Sequence, residues 1–152
     1  RARLVGSEMC IRDSASTAYA EAAEPICAAA QQRIDDLPPG RDATSPQDRA
    51  VAVREGTEIT EQLVADLKSL RPLVTDPDDL RILDAWFEDW ELGYLVDRWD
   101  HVERLENATP ETDDRDLAFI IQERVEGGFY TRRIDGLANV NDMPSCVVPG
   151  DI

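Results

Sequence analysis

Apolar residues recur at three- and four-residue steps through four stretches of this chain, the repeat of helices that each turn one face toward a core. The first stretch is read from about Ser16 to Asp36 and sets Tyr19, Ala22, Ala23, Ile26, Ala30, Ile34 and Leu37 on one side. Pro25 falls inside it. An interior proline removes a backbone donor and clashes with the preceding turn, so the helix is expected either to kink there or to start firmly at Glu24. Leu37-Pro38-Pro39-Gly40 ends the helix, and a polar loop runs to Ser45.

Ser45-Pro46-Gln47-Asp48 combines a capping serine, a proline at the first helical position and an acid where the helix dipole favours negative charge. A second helix is predicted from this point, with Ala52, Gly56, Ile59, Leu63, Leu67 and Leu70 as its stripe as far as Arg71. Pro72 closes it. Thr75-Asp76-Pro77-Asp78-Asp79 repeats the same start chemistry, which predicts a third helix from Pro77 to Asn107. Its buried stripe reads Leu80, Leu83, Phe87, Trp90, Tyr94 and Leu105, widened by Trp86, Leu95 and Val102, with Trp99 off the face. After Ala108-Thr109-Pro110, Thr112-Asp113-Asp114 starts a fourth helix through Leu117, Ile120, Ile121, Val125, Tyr130, Ile134 and Leu137, fading near Asn139. Gly127-Gly128 costs that helix roughly 1 kcal/mol per glycine relative to alanine. The expected return is room for an aromatic side chain from helix 3 or helix 1; a hinge or a ligand contact is the alternative.

Helices of similar length on short loops favour an all-α, antiparallel up-down-up-down four-helix bundle over residues 15–146. Its helices span about 16–36, 46–71, 77–107 and 112–139, between a leader at 1–14 and a tail at 147–152. A length of 152 residues, 42% of them hydrophobic, fits one domain with a real core.

Charge narrows the partners. Asp and Glu number 32 against 16 Lys and Arg, a formal net charge of -16, which argues against nucleic acid and anionic membrane surfaces, since both are bound by clustered cations. Solubility accounts for such a surface without any partner; a basic partner or metal cations are the alternatives. No stretch approaches the ~20 apolar residues that cross a bilayer, so any membrane association is expected through an anchor ahead of Ala15. The string Gly6-Ser7-Glu8-Met9-Cys10-Ile11-Arg12-Asp13-Ser14 looks like a translated sequencing adapter. The native chain is therefore expected to begin near Ala15, with any targeting segment missing, and the folded protein is expected to be a monomer.

A carboxylate-rich bundle invites comparison with di-iron proteins, which need two Glu-x-x-His pairs. This chain has one histidine, His101, and Arg98 rather than Glu stands three residues before it. Asp97 and His101 lie four apart, but zinc needs a third and usually a fourth ligand. Asp76 to Asp79 and Asp113 to Asp116 lack the alternating ligands and central glycine of a calcium loop, and both fall at helix starts, where the dipole explains them. No nucleophile elbow, phosphate-cradling loop or dinucleotide fingerprint occurs. Asn107-Ala108-Thr109 fits a glycosylation sequon but is short and followed by proline. The expectation is no catalytic residue, no cofactor and no metal. Trp86, Phe87, Trp90, Tyr94 and Trp99 are expected to pack the core, with Trp86 and Trp99, beside the stripe, as the candidate contact surface for a protein or small ligand.

If Cys10 belongs to an adapter, Cys27 and Cys146 remain. A bridge between them is geometrically plausible and would close a loop of about 120 residues, contributing on the order of 4 to 5 kcal/mol. From spacing alone the alternative stands beside it: a buried Cys27 and a free tail thiol at Cys146. The segment Tyr19-Ala20-Glu21-Ala22-Ala23-Glu24-Pro25-Ile26-Cys27-Ala28-Ala29-Ala30, the Leu70-Arg71-Pro72 helix end before the acidic restart, and Gly136-Leu137 leading to Cys146 resemble a group of small extracytoplasmic, lipoprotein-like proteins of actinobacteria. That resemblance implies an exported helical bundle with Cys27 and Cys146 paired; it brings no activity, because the group is largely uncharacterised. The crowded aromatics of helix 3 and the longer polar stretch before Cys146 depart from its pattern.

The leading expectation is thus a non-enzymatic extracytoplasmic module that binds a protein or small ligand. A carboxylate-based metal-binding or enzymatic bundle is the alternative if two or more of Glu61, Asp84, Asp97, Glu123 and Glu126 face one another in the interior. A cytoplasmic acidic protein with a basic partner is the other, favoured if the Cα atoms of Cys27 and Cys146 stand more than ~7 Å apart.

Overall fold

The computed structural model describes residues 14–109, 111 and 129–150. Within them run α1 (Ser14–Asp35), α2 (Pro46–Ser69), α3 (Pro77–Glu88), a π-helical segment (Asp89–Tyr94), α4 (Leu95–Glu106) and α5 (Phe129–Val140), with 3-10 turns at Gly40–Asp42 and Arg71–Leu73. The protein is all-α, with no strand among the described residues, and its helices pack as a four-helix bundle in which α3, the π segment and α4 form one continuous rod. The leader at 1–13 and residues 112–128, which include the predicted start of the fourth helix and Gly127-Gly128, lie outside the described residues.

The starts of α2 and α3 form as their sequence predicts. The Ser45 hydroxyl accepts from the Asp48 N–H at 3.0 Å, with Pro46 next to it. The Asp76 carboxylate accepts from the N–H groups of Asp78 and Asp79 at 2.8 and 3.2 Å. These acids satisfy orphan backbone donors in the first turn, which accounts for the cluster without a ligand. α1 continues unbroken through Pro25, which faces solvent; water can reach the carbonyl that proline leaves without a donor there.

Each described contact between successive helices is antiparallel. The buried Tyr19 hydroxyl, near the start of α1, donates to the Leu67 carbonyl at the end of α2 at 3.1 Å. Burial pushes its pKa well up, so it remains a donor. On α2, Gln47, Arg54, Glu61 and Lys68 are spaced by seven and therefore line one edge. Gln47 donates to the Ala108 carbonyl at 2.7 Å, Arg54 pairs with Glu106, Glu61 accepts from the Trp99 indole at 3.0 Å, and Lys68 pairs with Glu91 at 2.9 Å. This seam joins α2 to α4 along its length. On the other side of the rod, the Trp86 indole donates to the Ile134 carbonyl of α5 at 3.1 Å, and Arg133 grips Asp89 through two nitrogens at 2.9 and 2.6 Å.

The π segment is the feature that periodicity did not predict. Leu83, Trp86, Phe87 and Trp90 are buried on its near side, and Tyr94, Leu95, Arg98, His101, Val102 and Leu105 at or beyond its end. On an unbroken helix of 3.6 residues per turn the second set would be rotated from the first by roughly 60 to 70°. A wider turn advances each residue by a smaller angle and takes up that rotation. Trp86, Trp90 and Tyr94 then stack edge to face in four-residue steps, with ring centroids 6.2 and 5.5 Å apart. Gly93 lies in this turn because Tyr130 of α5 crosses it closely: a Cβ at position 93 would stand 2.7 Å from Tyr130 Cγ.

α5 ends in a reversal that sends the tail back along α1. Asp142 adopts φ 60, and the Met143 N–H returns to the Ala138 carbonyl at 2.9 Å, the six-to-one bond of a Schellman end, with both Met143 and Ala138 buried. The tail is then held by side chains: Gln31 donates to the Val147 carbonyl at 3.0 Å, Glu24 accepts from the Ser145 N–H at 3.0 Å, and Asp135 accepts from the Val148 N–H at 2.8 Å. Cys27 and Cys146 meet in the core, with sulfur atoms 2.06 Å apart and Cα atoms 5.0 Å apart, at disulfide distance.

Two stability effects are expected. With the cysteines 119 positions apart in the chain, the Cys27→Ala/Cys146→Ala variant should lose on the order of 4 to 5 kcal/mol, from the loop-closure entropy returned to the unfolded chain; an unchanged denaturation midpoint in urea would exclude the link. Gly93→Ala should cost about 1 to 3 kcal/mol through overpacking. Adding Tyr130→Ala should remove most of that Gly93 penalty, and additive losses in the double-mutant cycle would show the contact is not the cause.

Candidate functional site

Most buried polar groups among the described residues have evident structural work. The Thr57 hydroxyl donates to the Val53 carbonyl at 2.6 Å and Thr60 to the Gly56 carbonyl at 2.8 Å, both on α2's own backbone. Asn141 donates to the Leu137 carbonyl at the end of α5, and Asp79 belongs to the first turn of α3. Arg98 of α4, one turn before the buried His101, is different. The two residues occupy adjacent turns of the rod's inner face, between the large core and a smaller apolar cluster of Ala50, Val53, Val102 and Leu105.

Arg98 is 6% exposed, and its Nε and Nη2 are buried without an acceptor. Its guanidinium carbon lies 5.9 Å from the centroid of the Tyr94 ring, a cation–π contact that supplies some attraction but no hydrogen-bond acceptor in its plane. Desolvation, first of all, lowers its pKa, and the positive charge of Arg49 lowers it further. Arg49, from the first turn of α2, is half-buried; its Nε also lacks an acceptor, and desolvation lowers its pKa too. One turn up the aromatic ladder from Tyr94, the fully buried Trp90 indole N–H is a third donor without an acceptor. Arginine and tryptophan can only donate. The interior along this face therefore presents donors and positive charge with no carboxylate among the described residues set against them.

The acids that might have answered them are engaged elsewhere. Asp97 accepts from the Tyr130 hydroxyl, Glu61 from Trp99, and Glu106 pairs with Arg54. Asp84 is gripped by Arg71 at 2.7 and 2.8 Å on the outer surface, and that hydrogen bonding holds its carboxyl below the usual range. Glu61, Asp84 and Asp97 therefore stand apart with separate partners and do not converge, while Glu123 and Glu126 lie outside the described residues. Asp97 is exposed whereas His101 is buried, so the two do not form one surface pair. Among the described residues no group of three or more His, Cys, Asp or Glu side chains is placed to hold a metal ion.

Of the two candidate contact tryptophans, Trp86 is corrected: it is 1% exposed, with its indole bonded to α5, and offers nothing to a partner. Packing the first half of the rod against α5 puts it inside. Trp99 is half-buried at the α2–α4 seam, bonded to Glu61 and covered 5.8 Å away by Arg54. Arg49 and Arg98 were not among the predicted site residues. A signal for Arg98 exists in its position, four residues after Tyr94 and four before Val102, in step with the stripe.

Arg98→Met should raise stability by about 1 to 3 kcal/mol, because it replaces a desolvated, unpaired charge with an apolar side chain of similar length. Arg133→Met on the surface serves as the comparison and should change stability little. A loss of several kcal/mol in Arg98→Met would mean that the guanidinium is held by a structural acceptor and that no site exists here. Compared with family models, with curated proteins and with solved structures, the chain matches none.

Proposed function

We propose that this protein is an extracytoplasmic binding module, closed by the Cys27–Cys146 bond, that accepts a small anionic ligand into its interior beside Arg98 and performs no reaction on it. The observation that carries this reading is the buried guanidinium with two nitrogens lacking acceptors. Burying an unpaired charge costs several kcal/mol, and proteins tend to carry such a cost where a ligand relieves it. Donor-only groups suit holding rather than chemistry, since arginine keeps its proton throughout the working pH range. The proximity of Cys27 and Cys146 supports an oxidising compartment, as does the resemblance of the first and last helices to exported actinobacterial proteins.

The acidic surface supports the absence of nucleic acid as a partner. The Nε–H resonance of Arg98, assigned through its loss in Arg98→Met, should shift in the nitrogen-15 spectrum of the oxidised full chain when millimolar acetate, benzoate or phosphate is added. If none of the three moves that resonance, the binding role is wrong.

A further inference from the structure

We infer that the ligand is a monocarboxylate with a flat apolar body, bound with its carboxylate on Arg98 and its body along the Trp90–Tyr94 ladder; this rests on the binding role proposed above. Three observations converge on it. The first is the number of donors. The buried edge of the Arg98 guanidinium presents two donors without acceptors, Nε and Nη2, enough for two oxygens. A phosphate or sulfate carries further oxygens that would enter the interior without partners, each at the desolvation cost of a buried polar atom. A carboxylate presents two oxygens in the plane that a guanidinium edge matches.

The second is the surroundings. Arg98 lies over the ring of Tyr94, which meets Trp90 edge to face, and along the rod it precedes Val102 and Leu105 of the small aliphatic cluster. A hydrated anion such as acetate gains little there, whereas an apolar body gains about 25 cal/mol for each Å² it removes from water. The third is charge. Arg98 is the only nearly fully buried cation among the described arginines and lysines, and Arg49 is half-exposed and partly hydrated. One internal positive charge matches one negative charge.

The test uses the oxidised full chain and titration calorimetry, with tryptophan fluorescence as a second readout, and four probes: benzoate, acetate, inorganic phosphate and benzyl alcohol. Benzoate should bind at least tenfold more tightly than each of the others and should change the emission of Trp90, recorded in a Trp86→Phe/Trp99→Phe background. Arg98→Lys, which keeps the charge but loses the planar edge, should weaken benzoate by about tenfold, and Arg98→Met by more, with circular dichroism confirming that both variants are folded. Phosphate or acetate binding as tightly as benzoate overturns the inferred class and leaves the binding role standing. Equal binding of benzyl alcohol, or benzoate binding unchanged in Arg98→Met, overturns the carboxylate contact. Absence of binding by all four overturns the class and the binding role together.

Discussion

The phase of the long central rod is the constraint on which the rest of the molecule depends. About eight turns of helix must bury residues against α5 in the first half and against α2 in the second, and 3.6 residues per turn does not keep both sets aligned. The wide turn at Asp89–Tyr94 reconciles them. It puts Trp86 under Ile134, stacks Trp90 on Tyr94, and carries the same face on to Arg98 and His101. It also brings the backbone at Gly93 against Tyr130, so the glycine, the aromatic ladder and the buried arginine are consequences of one adjustment.

Charge is sorted by depth. Among the described acids, Asp76 caps a helix start, Asp48 and Asp78 stand in first turns, and others pair with surface cations such as Arg54, Lys68 and Arg71. Exposed pairs of this kind contribute little to stability individually. Among the described residues, the one nearly fully buried guanidinium, Arg98, lies on the inner side of the rod. Net charge and local chemistry thus point in opposite directions: the surface repels anions, and the interior offers donors to one.

Helix starts were the most readable part of the sequence, because a cap, a proline and an acid in three or four consecutive positions is a local signal that packing does not override; Ser45 and Asp76 do what their neighbours imply. The stripes of α1 and α2 were readable for the same reason, and the tail's ability to fold back was visible in its turn residues. The wide turn was not, since nothing in Asp89-Trp90-Glu91-Leu92-Gly93-Tyr94 marks it except a glycine whose use appears only once Tyr130 is placed. Arg98 carried no decisive signal either: charged side chains are almost never fully buried without a partner, so its being in phase with an apolar stripe does not mark it as interior. Trp86 failed the other way, read as edge and found inside.

The bond between Cys27 and Cys146 sets the two apolar clusters apart. It fastens the middle of α1 to the tail, within the large core that also holds Tyr19, Leu67, Leu83 and Ile134. The small cluster around Val53 and Val102 has no such tie, only the surface seam of α2 and α4. Cooperative opening in folded proteins begins where buried apolar contacts are fewest. Among the described residues, the part of the bundle around Val53 and Val102 is therefore held by side-chain contacts alone, while the large core also carries a covalent tie between its first helix and its tail.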